Sequence, residues 1–224
     1  IERIASKFIR GRKNANGQEE EEEGKLKFIS GGILATPELS VLNARKEIQL
    51  FGERTQRMFG MVIDLISEHS DEKFVKLFSR IEKYEGISDN MEIEIARYLD
   101  EVSDNHLSDE TKASIRAMLR EISEIESIGD SCFNLARTIN RHKQSNDKFV
   151  DKQDNHIHQM FNLVNDALTQ MNIMLTGRKA TLDINRSFNI ENEINNYRNQ
   201  IKNQNINDVN NHVYTYAVGT MYMD

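Results

Sequence analysis

The sequence predicts an all-α protein, and three observations carry that expectation. Helix breakers are scarce, with one Pro and 11 Gly in 224 residues, while charged residues reach 29%; that balance suits long helices. Apolar residues return every three or four positions over long stretches. The pattern also repeats: Arg57-Met58-Phe59 resembles Gln159-Met160-Phe161, and Glu85-x-x-x-Asp89 resembles Glu191-x-x-x-Asn195, at offsets of 102 and 106 residues. Two copies of a three-helix unit follow.

Residues 1–13 form a short basic amphipathic piece in which Lys7, Arg10, Arg12 and Lys13 cluster. A frayed helical end explains them, as does a segment beside a membrane span, where basic residues gather on the cytoplasmic side. Residues 14–25 hold five consecutive glutamates and read as a solvated linker. Thr36-Pro37-Glu38 is a helix start: a capping hydroxyl, a proline at the first helical position and an acid favoured by the dipole. The first helix is expected from about Pro37 to Ser67, with Leu42, Ile48, Phe51, Met58, Phe59, Val62 and Leu65 on its apolar side. Ser70-Asp71-Glu72 opens a second, to about Val102, and Ser108-Asp109-Glu110 a third, to about Lys143. Ser145-Asn146-Asp147 is expected to open a fourth, closed by Thr176-Gly177. A fifth is expected from Thr181 to Gln204, and a sixth from Asn207-Asp208 to the end. Short turns make sequence neighbours antiparallel. The expected organisation is a linker over 1–30, a first bundle over 31–144 and a second, incomplete one over 145–224, with Ile1 and Asp224 read as cuts in a longer chain.

The third helix carries the chemistry. Ile115, Met118, Ile122, Ile125, Gly129, Phe133 and Ala136 form one stripe, and Glu126 and Asp130 sit beside it. In the second helix Glu85 and Asp89 do the same beside Ile81, Tyr84, Ser88, Met91 and Ile95. Each pair is four residues apart and so lies on one side of its helix. If the helices are neighbours, four carboxylates converge, at a cost of several kcal/mol in a weak dielectric. A hard multivalent cation removes that cost, and oxygen-only donors select iron, manganese, magnesium or calcium over zinc. A solvated face is the plainer explanation for either pair alone; two pairs beside apolar stripes on consecutive helices set the metal on an equal footing with it.

Other chemistries find little support. The net charge of −7 and the lack of a basic face argue against a nucleic-acid partner. His156 and His158 fall on different faces, while His69, His106 and His142 sit at helix ends and His212 near the end of the chain. No Glu-x-x-His occurs, which disfavours a carboxylate-bridged oxidase. The single Cys132 suits a reducing compartment and a small buried hydrophobe. Tyr214, Tyr216 and Tyr222 read as packing residues. Gly129, mid-helix, costs about 1 kcal/mol against Ala, which close helix approach or cation access would justify. No nucleophile–base pair or phosphate loop is visible, so no enzyme is expected. No apolar run approaches the ~18 residues of a membrane span, so the fragment is expected to be soluble.

IEKYEGISDNMEIEIARYL (81–99) and HLSDETKASIRAMLREISEIESIGDSCFNLART (106–138) resemble PhoU, the helical phosphate-signalling regulator. The nearest likeness is to the PhoU-like cytoplasmic tail of bacterial sodium/phosphate cotransporters. GGILATPELSVLNARKEIQLFGERTQRMF (31–59), with its Leu-x-Thr-Pro start, is similar to the lead-in of that tail, and IENEINNYRNQIKN (190–203) to its fifth helix. The resemblance implies two antiparallel three-helix bundles, E-x-x-x-D motifs binding multinuclear iron or another metal, and a role in phosphate homeostasis by restraining a transporter or kinase. Glu85, Asp89, Glu126 and Asp130 match the first-bundle motif. The second bundle departs from it, with Glu191 but Asn195 where an acid would stand. The expected partner is the membrane-embedded transporter region of the same protein, at the cytoplasmic membrane face. A free-standing PhoU regulator and a metal-free scaffold that dimerises through its bundle faces are the alternatives.

Overall fold

The computed structural model describes residues 26–32, 36–145, 147–177 and 183–224. The glutamate-rich linker, the basic segment before it, Asn146 and Thr181 lie outside the described residues. Six helices and no strand occur among those described: α1 (Pro37–Ile66), α2 (Asp71–Ser103), α3 (Asp109–Gln144), α4 (Asp151–Leu175), α5 (Ile184–Asn210) and α6 (Tyr216–Met223). Five of the six are long; α6 has 8 residues. No helix among the described residues is long and apolar enough to cross a membrane.

The chain divides into two compact units. One comprises the residues up to Phe51 with Glu82–Asp130, the other Gly52–Ile81 with Ser131–Asp224. Each of α1, α2 and α3 thus contributes one stretch to each unit.

In the first unit, the halves of α1, α2 and α3 bury Ala44, Ile48, Phe51, Tyr84, Met91, Ile95, Leu99, Met118, Ile122 and Ile125. The expected stripes of α2 and α3 point inward as read from the sequence. In α1, Leu42 is instead exposed, and Ser40, Ala44 and Glu47 occupy the interior. Glu47 is fully buried, and its Oε2 accepts from the Lys27 and Phe28 backbone N–H groups at 2.9 and 2.7 Å. This clamps residues 26–32 onto α1 and seats Ile29 in the core. A buried carboxylate is tolerable when it satisfies otherwise unpaired donors. Arg45 pairs with Glu121, tying α1 to α3.

In the second unit, α4 runs antiparallel to α1. Gln56 donates to Asn165 Oδ1 and Thr169 Oγ1 and accepts from Asn172 Nδ2, and Phe59 meets Phe161 edge-on at 5.6 Å. A Cβ on Gly52 would fall 2.5 Å from Asn172 Oδ1 and 2.6 Å from Leu175 Cδ1, so the missing side chain sets how closely α1 and α4 approach. The α4–α5 hairpin closes through Gln170 Nε2 to the Asp183 carbonyl and Lys152 to Asp208 at 2.8 Å. Helix α6 folds back on α5, where buried Asn205 donates to the Gly219 carbonyl and accepts from the Tyr214 hydroxyl.

Three helix starts differ from the sequence expectation. Helix α4 begins at Asp151, not at Ser145-Asn146-Asp147; Ser145 Oγ donates back to the His142 carbonyl, and the buried Gln153 side chain accepts from Val150 N–H at the real start. Asp183 caps α5 by accepting from Arg186 N–H. Asn207-Asp208 does not open the sixth helix: Asp208 faces Lys152, α5 continues to Asn210, and Thr215 caps α6. Tyr216, expected to pack, is 78% exposed.

Candidate metal centre

Helices α2 and α3 are joined by the turn at Asp104–Ser108 and so run antiparallel in the first unit. Their contact is close because Gly129 faces Ser88. A Cβ on Gly129 would lie 2.7 Å from Ser88 Oγ and 3.3 Å from Ser88 Cβ. The mid-helix glycine thus has a packing reason, one of the two that its cost called for. Ser88 Oγ is itself buried with no hydrogen-bond partner.

This contact sets the register of the acids. With Ser88 against Gly129, the neighbouring Asp89 and Asp130 share one level, and Glu85 lies one turn along α2. Carboxylate oxygens of Glu85, Asp89 and Asp130 all come within 4.8 Å of one another. Glu126 lies a turn the other way along α3, toward Glu92. It is not one of the converging three, although it feels the charges of Asp130, Glu92 and Asp89. Of the four acids read from the sequence, the structure therefore brings three together and sets Glu126 beside them. Glu92 belongs to the same acidic row, and its charge acts on Glu126.

The electrostatics follow from that placement. Glu85 is held above the ordinary carboxylate range by desolvation, then by the charges of Asp89, Asp130 and Glu82. Asp89 is raised by desolvation and by Asp130. Glu126 is raised by desolvation, then by Asp130, Glu92 and Asp89, against a lowering contact from Ser127. Among the described residues no lysine or arginine forms an ion pair with Glu85, Asp89, Glu126 or Asp130. The acids are thus crowded, mutually repelling and without a cation of their own.

The donor set fits a hard cation. One carboxylate oxygen from each acid lies within 4.8 Å of the others, close enough for a single cation to reach all three at the about 2.0–2.6 Å of hard-metal bonds. Three acidic residues could therefore hold a metal here. The absence of sulfur and imidazole donors favours iron, manganese, magnesium or calcium.

The other expected ligands are placed elsewhere. Glu191 and Asn195 line a cleft between α4 and α5 with Gln170, Met171 and Ser187; no group of three metal-ligating side chains forms there among the described residues. His156 Nδ1 lies 2.9 Å from the Tyr222 hydroxyl, and His142 stacks on Phe149 at 3.9 Å. Cys132 is buried, and burial pushes its thiol up to about 12, as suits a small core hydrophobe.

Residues 48–139 match the family model of the PhoU domain. That stretch is PhoU-like. The match runs from Ile48 in α1 through all of α2 to Ile139 in α3, so it contains Glu85, Asp89, Glu126 and Asp130. A PhoU domain is a regulatory helical domain and points to phosphate-related regulation. No curated protein and no solved structure matches the chain.

Proposed function

We propose that this chain is the regulatory part of a sodium-dependent phosphate transporter, acting at the cytoplasmic face of the membrane, and that Glu85, Asp89 and Asp130 bind a hard metal cation with Glu126 beside them. In this reading two repeats, 31–144 and 145–224, make up the module, and the acids belong to the first. Metal occupancy sets the spacing of α2 and α3, since the same three carboxylates that repel one another without a cation are drawn together by it. The observation that carries the reading is the convergence of three carboxylates, none paired with a lysine or arginine, inside the stretch that matches PhoU. The basic segment around Lys7–Lys13 supports attachment to a membrane protein over a free-standing regulator.

Calorimetric titration with iron(II), manganese and magnesium, on wild type and on Glu85→Ala/Asp130→Ala, tests the metal part. Saturable binding in the wild type that the double variant loses is the expected result. Equal binding in both, or none in either, removes the metal and leaves a helical scaffold. Attachment is tested by the reading frame upstream of Ile1; an absence of hydrophobic spans there would favour the free-standing regulator.

A further inference from the structure

Within the second unit, the C-terminal half of α3 borders a cleft of 410 Å³ lined by Phe78, Asn134, Arg137, Thr138, Asn140 and Arg141. We propose that this cleft is an oxyanion site that takes phosphate, either free or as the ester of a small organic molecule.

No acid lines the cleft, on a chain whose net charge is −7. Asn134, Arg137, Thr138 and Arg141 fall at helical spacing on one face of α3, and each carries a hydrogen-bond donor. Arg141 Nη2 donates to Thr138 Oγ1 at 2.8 Å, which holds the guanidinium beside the cleft. Asn140 uses its Oδ1 to accept from Gln144 Nε2 at 3.3 Å, leaving its amide NH₂ to donate.

Helix-end electrostatics account for Arg141 but not for Arg137. Arg141, His142 and Lys143 already complement the negative end of α3, an effect that fades beyond the last turn. Arg137 lies two turns from that end. Its guanidinium packs over the Phe133 ring at 5.9 Å and has no carboxylate partner among the described residues. The ring fixes the arginine without neutralising it.

A carboxylate already visits this edge of the cleft: Asp224 lies 3.8 Å from Arg141, and both side chains are more than half exposed, at 58% and 67%. So exposed a pair is worth little, and a stronger anion displaces it. Two guanidiniums one turn apart, with a hydroxyl and two amides, offer more donors than one planar carboxylate can accept. A tetrahedral phosphate, with its several oxygens, takes them. The volume falls in the range of small organic ligand sites, and the Phe78 ring supplies an apolar wall for an ester's organic part.

The inference stands on the cleft's own donors, so its failure would leave the acid cluster's role untouched. The test is calorimetric titration of the whole chain in EDTA with inorganic phosphate, adenosine monophosphate, acetate and sodium chloride. At least one of the two phosphate species is expected to bind one-to-one, above acetate and chloride. Arg137→Gln should weaken that binding by about tenfold or more, the worth of one charge-assisted pair, and Arg137→Lys by less. Asp224→Asn should tighten it about two- to fivefold by removing the competitor. Asp89→Asn/Asp130→Asn should leave it unchanged. Binding of both phosphate species identifies free phosphate as sufficient, while binding of the ester alone shows that the organic part is needed; either supports the site. Binding no stronger than chloride overturns it. So does affinity unaltered by Arg137→Gln in a variant with wild-type circular dichroism, or affinity lost in the acid-cluster variant.

Discussion

Removing one charge from the acid cluster should make the metal-free protein more stable, the opposite of the usual outcome for a side chain at a helix interface. The substitution is Asp89→Asn, which preserves shape and removes the charge that repels both Glu85 and Asp130. At the outer limit of 4.8 Å between donor oxygens, one such repulsion is about 1 kcal/mol in water and about 3.5 kcal/mol at an effective dielectric of 20. Asp89 and Glu85 are half-buried and Asp130 is exposed, so screening holds the sum of the two near its lower end, about 1–2 kcal/mol. The assay is urea unfolding followed by circular dichroism in EDTA. The sign of the pH dependence is fixed as well. Carboxylates whose pKa is higher in the folded than in the unfolded chain bind more protons when folded, so metal-free stability falls as pH rises. The loss begins above the ordinary values of 4.5 for Glu85 and 3.8 for Asp89 and is complete once pH passes the raised folded values. Asp89→Asn should flatten that slope. With manganese the order reverses: a ligand at 100 times its Kd adds about 2.7 kcal/mol to the wild type, and the variant gains less. A variant less stable than wild type in EDTA would refute the reasoning, because Asp89 would then be making a favourable contact.

Other substitutions test the frame that holds the site. Glu47→Ala should cost about 1–3 kcal/mol by stranding the Lys27 and Phe28 amides, and should speed hydrogen exchange at those two amides while Glu47→Gln largely preserves them. Gly129→Val should force α2 and α3 apart at Ser88, lowering both the thermal midpoint and any metal affinity, since its Cβ would meet Ser88 at 2.7 Å. Asn205→Ala should cost about 1–3 kcal/mol through its two lost hydrogen bonds, with the α6 amides losing exchange protection first.

Much of this was legible in the sequence. Helical periodicity in α2 and α3 identified the buried face, and acids four apart beside it identified the row, because both follow from 3.6 residues per turn. What periodicity could not supply was register. The level at which α3 meets α2 depends on Gly129 fitting Ser88, and that fit pairs Asp130 with Asp89 and leaves Glu126 opposite Glu92. Helix starts were misread where polar residues that resemble caps serve distant partners instead: Asp208 is held by Lys152, some 56 residues away in sequence, and local sequence contains no sign of that. Glu47 was missed for a similar reason. It sits on the buried face of α1 among apolar residues, and only the return of residues 26–32 shows what it binds. The arginines beside Phe78 formed no recognised motif, since a cleft is a property of packing.

The central claim is that Glu85, Asp89 and Asp130 share a cation. Crystals grown with manganese and measured near its absorption edge test it most directly. The account predicts an anomalous peak about 2–2.5 Å from an oxygen of each of the three carboxylates, absent from crystals of Glu85→Ala/Asp130→Ala. Well-ordered side chains with no peak between them, or with lysine or arginine nitrogens reaching into the row, would contradict it.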